Sequence, residues 1–429
     1  MALLWRDISS RLLRNMPNIW RHKPMRIRIF VIQFLLAVIL WDVLPASAER
    51  LPVIFGARVG VHPDSTRLVF EMDRAVPYKI FTLADPFRVV IDFPEVSWLV
   101  SEARMRASDG LVSRFRFGLF QPGNSRVVVD VAAPASVTKH FLLPPKKSKP
   151  RRFVIDLKPV SREVFFAGAR SAQSENWGKR KRSFKTVNRP KTPRRKDGLR
   201  RVVVLDPGHG GVDPGTVGVT GSYEKHITLA VAKAAKKVME ASGRYRVVLT
   251  RTQDVYVRLR DRFEIAHNNK AEMFISLHAD SIGSRKIRGG SIYTLSDKAS
   301  DKEAEDLAQR ENKSDIIAGA DLSGYASEVS RVLIDLAQND TNRESWHLAK
   351  MLVSELKKSI KLLRTSHRYA GFAVLKSPNI PSTLIELGYL SNRIDEKNLK
   401  SPHYRIGIGQ ALLRAADRYF TRKALNNRS

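Results

Sequence analysis

Val202-Val203-Val204-Leu205 is an aliphatic run that stops at Asp206-Pro207-Gly208-His209-Gly210-Gly211, as a buried parallel strand ends in a turn. His209 is the first residue past that end with metal chemistry, and its glycine neighbours let the backbone bend and leave the imidazole unshielded. Met273-Phe274-Ile275-Ser276-Leu277 is followed at once by His278, repeating the theme. Glu224 opens an apolar-periodic stretch, Tyr223 to Val238, that reads as a helix. Two imidazoles at strand ends and a carboxylate at a helix start can converge on one point, because sites in open α/β sheets collect at the carboxyl ends of strands. Two nitrogens and one carboxylate suit zinc in a hydrolytic site, which keeps a fourth position for water. Such a metal acidifies its water and polarises a carbonyl. The water also needs a base, and Glu386 ends the apolar strand Ser382-Thr383-Leu384-Ile385, where an apolar surround would raise its pKa. By type alone Glu386 reads equally as a capping or ion-paired carboxylate. His226 competes with Glu224, and His267 stands near His278 in sequence.

The elements between these residues alternate. Arg246 to Arg251 reads as a strand and Leu259 to Asn268 as a helix, so the spacing predicts an α/β domain over 200–424. Between Tyr293 and Phe372 lies a long, mainly helical stretch: Asp301 to Asn312, Val329 to Leu336 and Trp346 to Leu363. One crossover does not need so many helical residues, so 297–368 reads as an insert.

Residues 51–160 read as a small all-β sandwich. Arginine, three apolar residues and a carboxylate recur with small variations in Arg67-Leu68-Val69-Phe70-Glu71, Arg88-Val89-Val90-Ile91-Asp92, Arg126-Val127-Val128-Val129-Asp130 and Arg152-Phe153-Val154-Ile155-Asp156. This is an internal duplication of a strand pair. The charged residues are expected to form cross-strand ion pairs on a solvated face. Over 161–199 Arg, Lys, Ser, Asn and Pro dominate, too little apolar surface for a core, which predicts a flexible basic linker.

Lys and Arg number 75 against 42 Asp and Glu, a formal net charge of +33. That predicts attraction to a polyanion: nucleic acid, an anionic membrane face or an anionic wall polymer. No cysteine is present, which excludes disulfides and thiolate metal sites. Arg21, Lys23, Arg26 and Arg28 precede the apolar run Ile29 to Leu40, and Ala46-Ser47-Ala48 follows. This is the layout of a secretory signal over 1–48, cut after Ala48, because the run is short of the about 20 residues a membrane span needs. Translation could also begin at Met16 or Met25. Export argues against nucleic acid and leaves the envelope as the anionic partner, which the basic linker would meet.

Leu205-Asp206-Pro207-Gly208-His209-Gly210-Gly211, Glu224, Ser276-Leu277-His278-Ala279-Asp280 and Ile385-Glu386-Leu387-Gly388-Tyr389-Leu390-Ser391-Asn392 stand in order. Together they resemble the zinc-dependent N-acetylmuramoyl-L-alanine amidases of the AmiA/AmiB/AmiC type, and the strand pattern of 51–160 resembles the AMIN domain that targets such enzymes to peptidoglycan. The resemblance implies a twisted, mostly parallel sheet with helices on both faces. It implies one zinc ion on His209, Glu224 and His278, with Glu386 as the catalytic carboxylate. The implied reaction is hydrolysis of the amide between N-acetylmuramic acid and L-alanine of peptidoglycan, in septal wall splitting during daughter-cell separation, in the periplasm of a Gram-negative bacterium. In the AmiB/AmiC type the insert carries a helix that plugs the site, and Glu311 matches the position of a further, inhibitory zinc ligand. A closed shell has no place for water, so the enzyme would be latent until an activator favoured the open form; the resemblance implies a LytM-domain divisome protein. By type alone Glu311 is one more exposed helix carboxylate. Two other readings share these motifs: a non-catalytic peptidoglycan-binding division protein with an amidase-like fold, and a zinc peptidase of another bond specificity.

Overall fold

Period-two alternation in the first half folds as two packed layers. The strands are β1 (Val53–His62), β2 (Ser65–Met72), β3 (Lys79–Leu83), β4 (Arg88–Pro94), β5 (Ser97–Trp98), β6 (Val112–Gln121), β7 (Asn124–Val131), β8 (Ala135–Leu143) and β9 (Arg151–Pro159). They form a sheet of order β5-β1-β2-β9-β8 and another of order β3-β4-β7-β6, antiparallel except where β5 meets β1. Val89, Ile91 and Phe93 of β4 and Val127 and Val129 of β7 point inward against Leu68, Phe70, Phe153 and Ile155. The duplication shows in the pairing: β2 lies beside β9 with Arg67 opposite Asp156, and β4 lies beside β7 with Asp92 opposite Arg126. Both pairs are bidentate cross-strand ion pairs at 2.6–2.8 Å. The expectation of a solvated face holds for Arg67. It fails for Arg126, whose side chain is 4% exposed because another part of the chain covers it; the carboxylates Asp92 and Asp156 are 7% exposed in both pairs.

This computed structural model describes residues 50–84, 86–100, 109–146, 148–166, 200–320 and 331–426, with backbone alone at 331–339. The signal read over 1–48 and residues 167–199 of the linker lie outside the described residues. No helix among the described residues is long and apolar enough to cross a membrane.

The second half is an α/β fold. Its strands are β10 (Arg201–Pro207), β11 (Tyr245–Leu249), β12 (Met273–His278), β13 (Gly290–Leu295), β14 (Leu362–Ala370) and β15 (Ser382–Glu386). Its helices are α1 (Glu224–Ala241), α2 (Leu259–Asn268), α3 (Lys302–Glu311), α4 (Ser314–Ile317), α5 (Arg331–Leu356), α6 (Arg393–Lys400) and α7 (Pro402–Asn426). The sheet order is β11-β10-β12-β15-β13-β14, parallel except where β13 meets β15. Strand residues alternate between two cores. Val203, Leu205, Ile275 and Leu277 face α1, α5 and α7; Val204, Phe274 and Leu384 face α2 and α3. Helices therefore lie on both faces. The chain leaves β10 for β11 and returns to β12 on the other side of β10, so β10 and β12 flank a switch point, where such sheets bind ligands.

Residues 297–368 do not form one helical insert. Leu348, Ala349, Leu352 and Leu356 of α5 belong to the main core, and 362–370 is a strand of the sheet. Thr365-Ser366-His367-Arg368-Tyr369 is polar because β14 is an edge strand, half-buried at most of its positions, so the apolar signal of a strand is weak there. What overlies the switch point is shorter, α3 and α4.

Candidate metal centre

The turn after β10 is built so that two imidazoles can meet. His209 has φ +60, a left-handed conformation uncommon for a residue with a Cβ. Its neighbours hold it there. Arg262 donates to the His209 carbonyl at 3.2 Å, and Arg251 and Thr228 both donate to the Gly208 carbonyl at 2.9 Å. Gly208 makes room: a Cβ there would lie 2.4 Å from Cε1 and Nε2 of His278. The two rings stand with centroids 4.9 Å apart.

His209 Nε2 lies 3.2 Å from Glu224 Oε2, and His278 Nδ1 lies 3.2 Å from Glu224 Oε1. One ligand atom from each of His209, Glu224 and His278 falls within 4.8 Å of the others. All three side chains are buried, yet His209 Nε2 and His278 Nδ1 have no hydrogen-bond partner. Buried polar atoms left without partners are costly, and here they converge on one point. Nitrogen and oxygen donors without sulfur fit a borderline divalent metal such as zinc, so these residues can hold the ion that the sequence predicts.

The surrounding groups orient those ligands. Asp213 Oδ2 lies 2.9 Å from His209 Nδ1, which leaves Nε2 for the metal. Glu224 accepts from Thr216 N at 2.9 Å and Ala279 N at 2.8 Å. Burial alone would raise the Glu224 pKa, but His209 and His278 hold it well below the carboxylate range. Burial opposes charge on His209, yet Glu224, Asp213 and Glu311 outweigh it and raise its pKa well above the imidazole value. Asp206, fully buried beneath the turn, accepts from Arg262 at 2.8 Å and Ser276 at 2.7 Å.

Glu386 sits beside His278 in the register of β12 and β15. It is fully buried; Oε2 accepts from Asp280 N at 2.9 Å, and Oε1 has no partner. Burial first, then Glu224, Asp280 and Glu311, push its pKa well above the usual value, as its apolar strand predicts. Glu311, the last residue of α3, is not an exposed helix carboxylate. Its Oε2 lies 3.1 Å from His278 Nδ1 and 3.5 Å from His209 Nε2, and burial raises its pKa to about 7. Arg310 beside it donates to Asp280 at 2.7 Å, fastening α3 to the rim. A cavity of about 10 Å³ remains among His209, His278, Glu311 and Arg262, room for about one water. His226 and His267 stay outside: His226 is half-exposed and 3.4 Å from Asp254, and His267 is exposed on α2. Sequence reasoning missed Asp213, Arg251 and Arg262. Arg251 had a usable signal, since it stands two residues past the end of β11, the strand next to β10.

The pattern of the N-acetylmuramoyl-L-alanine amidase family matches residues 203–418, and that of the AMIN domain matches 58–157. The chain is 32% identical to the N-acetylmuramoyl-L-alanine amidase AmiC of Neisseria meningitidis, over 89% of this chain and 93% of that one. It is 32% identical to AmiC of Escherichia coli O6:H1 over 90% and 93%, and 39% identical to AmiA of Escherichia coli K12 over 55% and 82%. With its His-Glu-His cluster at the switch point of the sheet and an AMIN domain ahead of it, the chain belongs to the N-acetylmuramoyl-L-alanine amidase family of peptidoglycan hydrolases.

Proposed function

We propose that this protein is a self-inhibited zinc amidase that cuts the bond between N-acetylmuramic acid and L-alanine in septal peptidoglycan. His209, Glu224 and His278 would hold the ion, and the observation that carries this is their convergence with two orphaned nitrogens. When bound, zinc supplies a Lewis acid for the water and the amide carbonyl. Glu386, whose raised pKa and unpartnered Oε1 suit proton transfer, takes a proton from the attacking water and delivers it to the departing L-alanine nitrogen. Asp213 keeps His209 in the tautomer that binds. The complete set of groups favours catalysis over the reading as a purely wall-binding division protein.

Glu311 accounts for latency as a fourth protein ligand in the place water needs. An activator, a LytM-domain divisome protein by family resemblance, would favour a form with α3 withdrawn. Export by a signal cut after Ala48 would put the enzyme in a Gram-negative periplasm, with the basic linker against the anionic envelope. Bond specificity is tested on purified peptidoglycan with zinc-loaded Glu311→Gln protein of residues 49–429, the products identified by mass. Stem peptides with a free L-alanine amino terminus, lost on chelation, are expected. Cleavage within the stem peptide would establish a zinc peptidase instead.

A further inference from the structure

The outer face of β4 and β7 is where a sandwich meets solvent, yet Arg88, Asp92 and Arg126 there are each under 7% exposed. What covers them is the segment that carries Glu311. Past Glu311 the chain makes the single turn α4 and closes it with a Schellman motif: Gly319, at φ +64, donates to Ile316 O at 3.0 Å, and Ala320 N donates to Asp315 O at 2.9 Å. Two carbonyls of this turn receive guanidinium groups from the AMIN domain. Arg126 Nη1 donates to Gly319 O at 2.6 Å, and Arg88 Nη1 donates to Ile316 O. Gly319 lies flat on the sheet; a Cβ there would stand 3.1 Å from Val128 and 3.4 Å from Val90.

Both arginines are held in place for this contact. Asp92 grips Arg126 at 2.6 and 2.7 Å, and the Phe120 ring lies 3.6 Å beneath its guanidinium. Arg88 also donates to Pro86 O at 3.1 Å and Ala84 O at 3.0 Å. The contact continues to the metal site. Phe120 stacks on Tyr256 at 5.8 Å, and the Tyr256 hydroxyl donates to Asp315. Ser314 donates to Asp213, the residue that orients His209. The duplicate pair on the other sheet makes the comparison: Arg67, bonded to Asp156, is 39% exposed. The carboxylates Asp156 and Asp92 are equally buried at 7%, so it is the burial of Arg126, 4% exposed, that comes from docking and not from the AMIN repeat itself.

We propose that the AMIN domain is a clamp on the inhibitory segment. Arg88 and Arg126 hold the turn at 316–319, the turn keeps Glu311 in the metal site, and undocking of this face is a step of activation. The proposal rests on the self-inhibition reading above and adds a role for the AMIN domain in regulation.

The test uses zinc-loaded protein of residues 49–429 and purified peptidoglycan. Arg88→Ala leaves the Arg126–Asp92 pair intact. A hydrogen bond from a charged donor is worth roughly tenfold or more in an equilibrium constant, so R88A is expected to raise basal peptide release roughly tenfold. Amide exchange at 311–319 should rise likewise, while β4 and β7 stay protected. Unchanged exchange at 311–319 overturns the clamp. A cross-link gives an arm that does not depend on how R88A folds. The chain has no cysteine, so Val128→Cys with Gly319→Cys forms a single pair. With Glu311 kept, the reduced pair, which lacks the left-handed glycine of the turn, is expected to release peptide faster than wild type, and oxidation to lower that rate at least fivefold; equal rates in the two states overturn the clamp. E311Q alone separates the two ideas. If it releases no more peptide than wild type, self-inhibition through Glu311 fails, and exchange in R88A then judges the clamp by itself.

Discussion

Gly208→Ala should disable the metal site without touching a ligand. Gly208 lies outside the left-handed region, so alanine carries no backbone penalty there. The effect is steric. A Cβ at 208 would stand 2.4 Å from the His278 ring, and ordinary contact begins at 3.4 Å, so the ring must withdraw by about 1 Å. Zinc–nitrogen bonds of about 2.0–2.1 Å tolerate only about 0.2 Å. A ligand moved by about 1 Å is lost or strained, and even disturbance of the groups that merely orient a ligand costs about 10–100-fold in metal affinity. We expect G208A to bind zinc about 100-fold more weakly than wild type, read by competition against a chromophoric chelator. Circular dichroism should show the same fold. G208A that binds zinc within threefold of wild type would refute the reasoning that the two imidazoles converge on the ion through this gap.

Glu386→Gln keeps the shape and removes the proton acceptor, so turnover in an E311Q background should fall about 10²–10⁴-fold with zinc content unchanged; loss of zinc together with activity would instead make Glu386 a structural residue. Arg262→Met breaks the buried pair with Asp206 and leaves that carboxylate uncompensated, which costs about 3–5 kcal/mol; thermal unfolding that is unchanged would contradict the role given to this pair. The pH dependence of zinc binding follows from the imidazoles. In metal-free protein both His209 and His278 titrate above the unfolded value of about 6.5, since the carboxylates Glu224 and Glu311 outweigh burial at each ring. Raised folded values mean that protonation stabilises the metal-free fold below about pH 6.5, a contribution lost as pH rises through the raised values. Zinc competes with those protons, so affinity should fall on acidification and binding should release protons. Calorimetry in two buffers of different ionisation enthalpy reads this, and a pH-independent affinity with no proton release would contradict it.

The three candidate ligands were legible because each stands at a junction between elements. His209 and His278 end apolar runs and Glu224 opens a periodic helix, so local pattern placed all three at the carboxyl ends of the strands, while leaving His226 open beside Glu224 and His267 near His278. Glu311 was not legible in that way. Its α3 is an ordinary amphipathic helix capped by Asp301, whose side chain accepts from Ala304 N at 3.0 Å, and only family resemblance singled it out. The residues beneath the turn were hidden for another reason. Arg251 and Arg262 serve backbone carbonyls 43 to 55 positions away in sequence, and nothing in local spacing encodes such a partner. Arg88 and Arg126 misled in the opposite sense. An Arg-Asp ladder on a sandwich strand reads as a wet face, and its burial depends on a segment 193 to 228 residues further along the chain.

Anomalous diffraction at the zinc edge, from crystals of the zinc-loaded chain, would locate the ion and show whether Glu311 closes its shell. One zinc ion is expected between His209, Glu224 and His278, with the Glu311 carboxylate as the fourth protein ligand. Zinc elsewhere, or zinc on the three ligands with Glu311 turned away and water in its place, would contradict a latent enzyme closed by its own helix.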